Sequence, residues 1–299
     1  MPVSDAAFLE SGLPPARLEQ LLEVARGAAL AGGGQLKELF GNLERVKEKG
    51  EAGNLVTEAD LAAEAAVLAV LSEATPSFGL LAEESGRRPG EGPLEWCVDP
   101  LDGTTNYAHG FPVFCTSVGL LFQGRPLLGA LVVPLLDQVF WAAPGLGAWC
   151  NGRRLQVSGC TGLSEALLAT GFAYDRTRRQ DNNYAEFAFF THRSHGVRRA
   201  GAAAVDLAFV AAGSLDGYWE RGLSPWDLAA GVVLVEQAGG LVSGYRGEEL
   251  ELASGRILAC APGLQDPMIA ALAACQPLPG AFYGAPELDR VREGDAPSP

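Results

Sequence analysis

Asp99-Pro100-Leu101-Asp102-Gly103-Thr104-Thr105-Asn106 is the densest run of potentially reactive groups in the chain. Its two aspartates stand three positions apart where the backbone must turn sharply, so both carboxylates can point at one spot. Gly103 permits an unusual backbone angle or the close approach of a ligand, and amides of the following turn can face an anion as a helix N-terminus does. A cation beneath and a phosphate above is a coherent reading; the plainer one is an Asx-rich surface turn with Asp99 as a cap. Other acids are weaker taken singly. Glu83-Glu84-Ser85 reads as solvated surface, Asp227 in Trp226-Asp227-Leu228-Ala229-Ala230-Gly231 as a helix cap, and Asp60 in Thr57-Glu58-Ala59-Asp60 as a helix-dipole partner. Gathering them would be costly, because two like charges ~4 Å apart at an effective dielectric of ~20 repel by about 4 kcal/mol. Cations would have to hold such a cluster, and an all-oxygen ligand set favours Mg²⁺ or Mn²⁺ over Zn²⁺.

The surrounding pattern supplies elements that can position these groups. Apolar spacing predicts a helix over residues 17–40, weakened at Gly32 to Gly34, then a charged loop over 47–53. Thr57 resembles the start of a capping box, opening an alanine-rich helix to about Ala74 that Pro76 closes. Short apolar runs at 78–82 and 96–98 end directly in Glu83-Glu84 and Asp99, as strands delivering acids to one rim would. Segments 115–122, 127–133 and 138–142 form an antiparallel meander, broken by turn signals. Further on, apolar runs at 166–169, 241–243 and 257–259 alternate with helical stretches at 182–194, 203–212, 227–238 and 267–274, which favours layered α/β packing. We therefore expect an N-terminal α+β half (1–150) carrying the acids, a C-terminal α/β half (151–280) completing the site, and a disordered polar tail (281–299).

Bulk properties exclude several functions. With 299 residues, 48% of them hydrophobic, the chain can bury a sizeable core without disulfides. A formal charge of −14 argues against nucleic acid or an anionic membrane as a partner. The six cysteines are scattered without a CxxC pair and read as buried thiols of a reducing cytoplasm. No secretory signal is expected in MPVSDAAFLE, and the longest apolar run, 127–136, is too short to span a bilayer. His109, His192 and His195 adjoin no recognised motif and read as structural or surface residues, while Trp96 and Trp226 are expected to pack beneath the acids.

Asn54-Leu55-Val56-Thr57-Glu58-Ala59-Asp60, Glu83-Glu84-Ser85, the 99–106 motif and the 226–231 motif, in that order and spacing, resemble the inositol monophosphatase family from about Leu18 to about Ala274. The resemblance implies a layered α-β-α-β-α sandwich, a homodimer, dependence on Mg²⁺ and inhibition by lithium. By motif, it gives Glu83, Asp99, the Leu101 carbonyl, Asp102 and Asp227 as metal ligands and the Gly103 and Thr104 amides as a phosphate cradle. Thr104 and Asp60, assisted by Glu83, would orient the attacking water for an in-line displacement. Asp102, Gly103, Thr104, Gly201, Ala202, Ala203, Glu220 and Asp227 would face the substrate, a small phosphorylated polyol or sugar and foremost inositol 1-phosphate. Ala82 stands where a glycine commonly precedes the glutamates, and Asn54 where an aspartate often opens the first motif; neither change removes an implied ligand. Arg198-Arg199 reads as a solvated basic face or as an approach to a second phosphate, as in fructose-1,6-bisphosphatases or bisphosphate nucleotidases, and the same alternatives apply to the arginines at 176–179. A non-catalytic, metal-stabilised binding role is the alternative of a different class, although no distinct interaction module is visible.

Overall fold

Local chemistry explains why a helix starts after Thr57. The Thr57 hydroxyl accepts from the Ala59 amide at 3.1 Å, and Asp60 reaches back to accept from the Thr57 amide at 2.8 Å. Amides that helix geometry leaves unpaired at the N-terminus are thereby satisfied. The computed structural model describes residues 1–43, 46–48 and 55–278. Asn54, most of the expected 47–53 loop and the expected tail at 281–299 lie outside these described residues.

The chain opens with α1 (Val3–Ser11) and α2 (Pro15–Leu39), an antiparallel pair β1 (Val46–Glu48) and β2 (Leu55–Thr57), and α3 (Glu58–Ala74). There follow β3 (Gly79–Ala82), β4 (Gly86–Arg88), β5 (Leu94–Asp102), α4 (Thr104–Ala108), β6 (Cys115–Phe122) and β7 (Arg125–Val133). Next come β8 (Gln138–Ala143), β9 (Gly147–Cys150) and β10 (Arg153–Arg154). Strands β3 to β10 form an eight-stranded sheet in the order β10-β9-β8-β7-β6-β5-β3-β4. The run β5 to β10 is an antiparallel meander, whereas β3 lies parallel to β5 with Ala82 opposite Val98. The rest of the chain comprises β11 (Leu167–Thr170), α5 (Tyr184–Arg193), β12 (Gly196–Arg198), α6 (Ala203–Ala211), β13 (Gly217–Arg221), α7 (Pro225–Gln237), β14 (Leu241–Ser243), β15 (Arg256–Cys260) and α8 (Gln265–Ala274). Its five-stranded sheet has the order β12-β11-β13-β15-β14.

Three apolar clusters stack these parts into the α-β-α-β-α order. One joins α2 and α3 to the first sheet through Leu21, Ala25, Val67, Trp96 and Leu128. A second places α6 and α7 between the sheets, with Leu207, Val210, Val232 and Val235 against Leu131, Phe140, Tyr218 and Ile257. The third holds α5 and α8 on the outer face through Phe190, Trp219, Leu258 and Met268. Area removed from water at ~25 cal/mol per Å² drives this assembly. Among the described residues, no helix is long and apolar enough to cross a membrane.

Several local expectations change. Gly32 to Gly34 do not weaken α2, which runs through them; a Cβ on Gly33 would stand 2.6 Å from Val132 and one on Gly32 2.8 Å from Thr116, so the absent side chains let the helix lie close to the sheet. Lys47 belongs to β1 rather than to a loop. Helix α1 was not anticipated, because its docking partner is remote: Glu236 near the end of α7 accepts from the Val3 and Ser4 amides at 2.7 and 2.9 Å. A carboxylate from another element thus caps its N-terminus.

Candidate active site

The first sheet delivers its acids where strand pairing stops. Glu83 follows β3 directly, its amide still bonded to the Val98 carbonyl at 3.1 Å, while β5 ends across a register break between Asp99 and Asp102. That irregularity releases the backbone: Asp99 accepts from the Leu101 amide at 3.0 Å, and Thr116 holds the Pro100 carbonyl at 2.9 Å. Gly103 then turns the chain into α4 at φ +95°, a value that favours glycine, with the Val113 carbonyl and Ala202 pressing on the space a side chain would occupy.

Two helices aim their first turns at the same place. Asp227, in the first turn of α7, accepts from the Ser224 amide at 2.6 Å. Asp102 accepts from the Ala204 amide at the start of α6 at 2.7 Å. Both therefore do cap helix ends, and both also line a cleft of about 340 Å³ together with Glu83, Asp99, Leu101, Gly103 and Thr104. Gly201, Ala202, Ala203 and Glu220 line the same cleft, with Ala202 beside Gly103. Asp60 does not line it. Fully buried one layer behind, it accepts from the Thr104 hydroxyl at 3.1 Å and from the Thr57 hydroxyl at 2.6 Å. The Thr104 hydroxyl also lies 3.0 Å from the Leu101 carbonyl, and its single proton serves one acceptor at a time.

Burial makes these carboxyls weak acids. Asp99 is pushed well above the ordinary aspartate value, first by desolvation and then by Glu83, Asp102 and Asp227; Asp227 is raised by desolvation and Asp102. Asp99 and Asp227 stand close enough to perturb each other, and burial without a compensating cation is what makes both hard to ionise. Asp102 is raised to about 6 by desolvation, countered by the amides opening α6. Glu220, accepting from the Tyr218 hydroxyl at 2.6 Å, is raised to about 7, again chiefly by desolvation.

Phe172, Ala173 and Tyr174 form part of the wall without having been expected there. Of the two arginine groups offered as an approach to a second phosphate, Arg176 and Arg199 line the cleft, whereas Arg198 on β12 does not. Nothing in local sequence marks Tyr174, whereas Asn106 belongs to the 99–106 motif and ties it to the far side by donating to the Val113 and Ala200 carbonyls at 2.6 and 2.8 Å. Trp96 packs in the core away from the cleft, donating to Thr75 at 2.8 Å, but Trp226 is part of the cleft wall rather than beneath it. All three histidines are exposed and lie outside the cleft.

Fold and site together define a layered α/β protein whose single acid-lined cleft among the described pockets sits where both sheets and two helix ends meet. The sequence model of the inositol monophosphatase family matches residues 17–277, and the chain belongs to that family. It is 50% identical over 261 residues to the inositol-1-monophosphatase of Synechocystis, covering 87% of this chain and 91% of that relative. It is 43% identical to the Nus factor SuhB of Pseudomonas aeruginosa, over 81% of this chain and 92% of the relative. The solved inositol monophosphatase of Anabaena superposes with a TM-score of 0.81 at 48% identity, covering 88% of this chain and 98% of that one.

Proposed function

We propose that the chain hydrolyses a small phosphate monoester, inositol 1-phosphate first among candidates, with Mg²⁺ or Mn²⁺ as cofactor. The observation that carries this reading is the meeting of Glu83, Asp99, Asp102 and Asp227 in one cleft, with Thr104 backed by Asp60 at its floor. The donor set suits a hard divalent ion: it is all oxygen, and its buried acids otherwise raise one another's pKa by desolvation and mutual repulsion. No group of three or more His, Cys, Asp or Glu side chains among the described residues is gathered closely enough to hold an ion by itself. Mg²⁺ usually keeps several waters and binds through one or two carboxylates plus substrate phosphate oxygens. Glu83, Asp99, Asp102, Asp227 and the Leu101 carbonyl would hold the ions, which when bound lower the pKa of water and offset charge on phosphoryl and leaving oxygens.

The chain's own groups have distinct tasks in this scheme. Asp60 takes the Thr104 proton, which leaves the Thr104 oxygen free to accept from a water and aim it in line with phosphorus. Glu83 receives the proton that this water gives up. Amides of Gly103 and Thr104 hold the phosphate, and Glu220 with the Gly201 to Ala203 backbone meets the polyol hydroxyls. No phosphoenzyme forms, so a phosphorylated Thr104 would count against the scheme.

A second reading has an observation of its own: Arg176 and Arg199 both line the cleft, and two guanidinium groups suit a second phosphate. A non-catalytic, metal-stabilised binding role is less favoured, because the Asp60–Thr104 pair exceeds what holding a metal requires. A homodimer in a reducing cytoplasm belongs to the same proposal; the six cysteines are all free thiols. Phosphate release would be measured from inositol 1-phosphate, fructose 1,6-bisphosphate and adenosine 3′,5′-bisphosphate, each with Mg²⁺, with chelator and with lithium. We expect chelator- and lithium-sensitive release, fastest from the monophosphate; release from none of them would sink the phosphatase reading.

A further inference from the structure

Strand β13 has two faces with different duties. Tyr218 and Glu220 share one, bonded at 2.6 Å, and Glu220 lines the cleft. Trp219 and Arg221 point the other way, as alternation along a strand requires. Neither lines the cleft, yet both grip the strap of residues 172–183 that does. At its start, the buried Arg221 donates to both Asp175 oxygens at 2.8 and 3.0 Å. At its end, Trp219 donates to Asn183 at 2.6 Å, and Asn183 donates to Thr170 and the Gly171 carbonyl, both at 2.7 Å. Asn183 is held at φ +70°, a conformation uncommon outside glycine that these bonds over-determine.

The strap is also pressed against β13. A Cβ on Gly171 would stand 2.0 Å from the Glu220 carboxylate, and one on Gly222 2.5 Å from Ala173. Beyond this contact, Tyr174 crosses to the first half of the chain through a hydrogen bond with Thr105, next to the 99–104 turn. Asp175 additionally pairs with Arg179 at 2.7 Å, and Asp181 with Arg256 and, at 3.5 Å, with Arg221, so between the aromatic contacts of Phe172 and the Asn183 hydrogen bonds the strap is fastened by ion pairs.

We propose that Arg221 is a positioning residue: by clamping Asp175 it sets Tyr174 and Arg176 at a fixed distance from Glu220, and so determines affinity for the non-phosphate part of the substrate without touching it. This rests on the phosphatase reading. The bidentate geometry is what makes the clamp directional, since a planar guanidinium on a carboxylate fixes orientation as well as distance.

Steady-state kinetics of Arg221→Gln, Asp175→Asn and the double variant on inositol 1-phosphate test it, with inorganic phosphate as a competitive inhibitor. We expect KM to rise about tenfold in each single variant and no further in the double, with kcat within about twofold. The inhibition constant of inorganic phosphate, which has no polyol, should stay within about twofold of wild type. An unchanged KM, or KM and phosphate inhibition weakening together, would overturn the proposal. Asp175→Asn is isosteric and partly exposed, so it keeps the test decisive if Arg221→Gln does not fold. Wild type inactive on every phosphate ester would sink the phosphatase reading, and this inference with it; active wild type with unaltered variants sinks only the inference.

Discussion

On one wall of the cleft, Glu83, Asp99, Asp102 and Asp227 stand at the ends of β3, β5 and α7; Asp99 and Asp227 are fixed by amides of their own motifs, Glu83 by pairing with β5, and Asp102 by the first turn of α6. On the other wall, Tyr174 and Arg176 belong to a segment with one 3₁₀ turn, fastened by Arg221 some forty-six positions away. The first wall is electrostatically unfavourable by itself; the second is held by ion pairs and hydrogen bonds that reach it from distant elements. Chemistry that needs fixed atoms sits on the wall that secondary structure positions, and discrimination sits on the wall that ion pairs adjust.

That contrast can be broken experimentally. The largest effect should come from Asp99→Asn: turnover falls at least about 10³-fold, roughly 4 kcal/mol of barrier, while metal-free protein becomes more heat-stable at neutral pH because a buried acid that is costly to ionise is gone. Calorimetry in chelator that shows a lower Tm would contradict the claim of electrostatic strain. Next is Glu220, whose burial raises it from an ordinary 4.5 to about 7. The folded state therefore keeps its proton longer than the unfolded state, so stability is lost as pH rises from about 4.5 through 7, by up to about 3 kcal/mol in metal-free protein. Denaturant titrations of Glu220→Gln should lack most of that decline. Asp60→Asn should lower kcat by about 10²-fold with KM unchanged, since only the aim of Thr104 suffers; an equal rise in KM would place Asp60 in substrate binding instead. Smallest is Glu236→Gln, which weakens the cap on α1 and should cost about 1–2 kcal/mol in urea unfolding while leaving kcat intact.

How much could be read in advance follows from the same contrast. The 99–106 turn, the Thr57 box and the Asp227 helix start are short strings whose geometry is settled by neighbours in sequence, so the acids and their elements were legible, as was the meander. The glycines of α2 misled, because their purpose lies in Thr116 and Val132, which no local pattern connects to them. Strand β13 was overlooked: its residues, Gly217 to Arg221, alternate between two buried faces and give no amphipathic signal. For Arg198-Arg199 the sequence left a solvated face and a phosphate approach both open, because only the end of β12 at Arg198 decides that Arg199 is the one lining the cleft.

Helix α7 carries Asp227 in its first turn and Glu236 near its far end, where Glu236 holds the amides that open α1, two positions from the exposed Met1. Nine positions at 1.5 Å each put roughly 14 Å of helix between those two carboxylates. The amino terminus is therefore a practical handle: a bead, a dye or a fusion partner attached there would be carried on the opposite end of the shaft from the cleft, leaving substrate entry unobstructed.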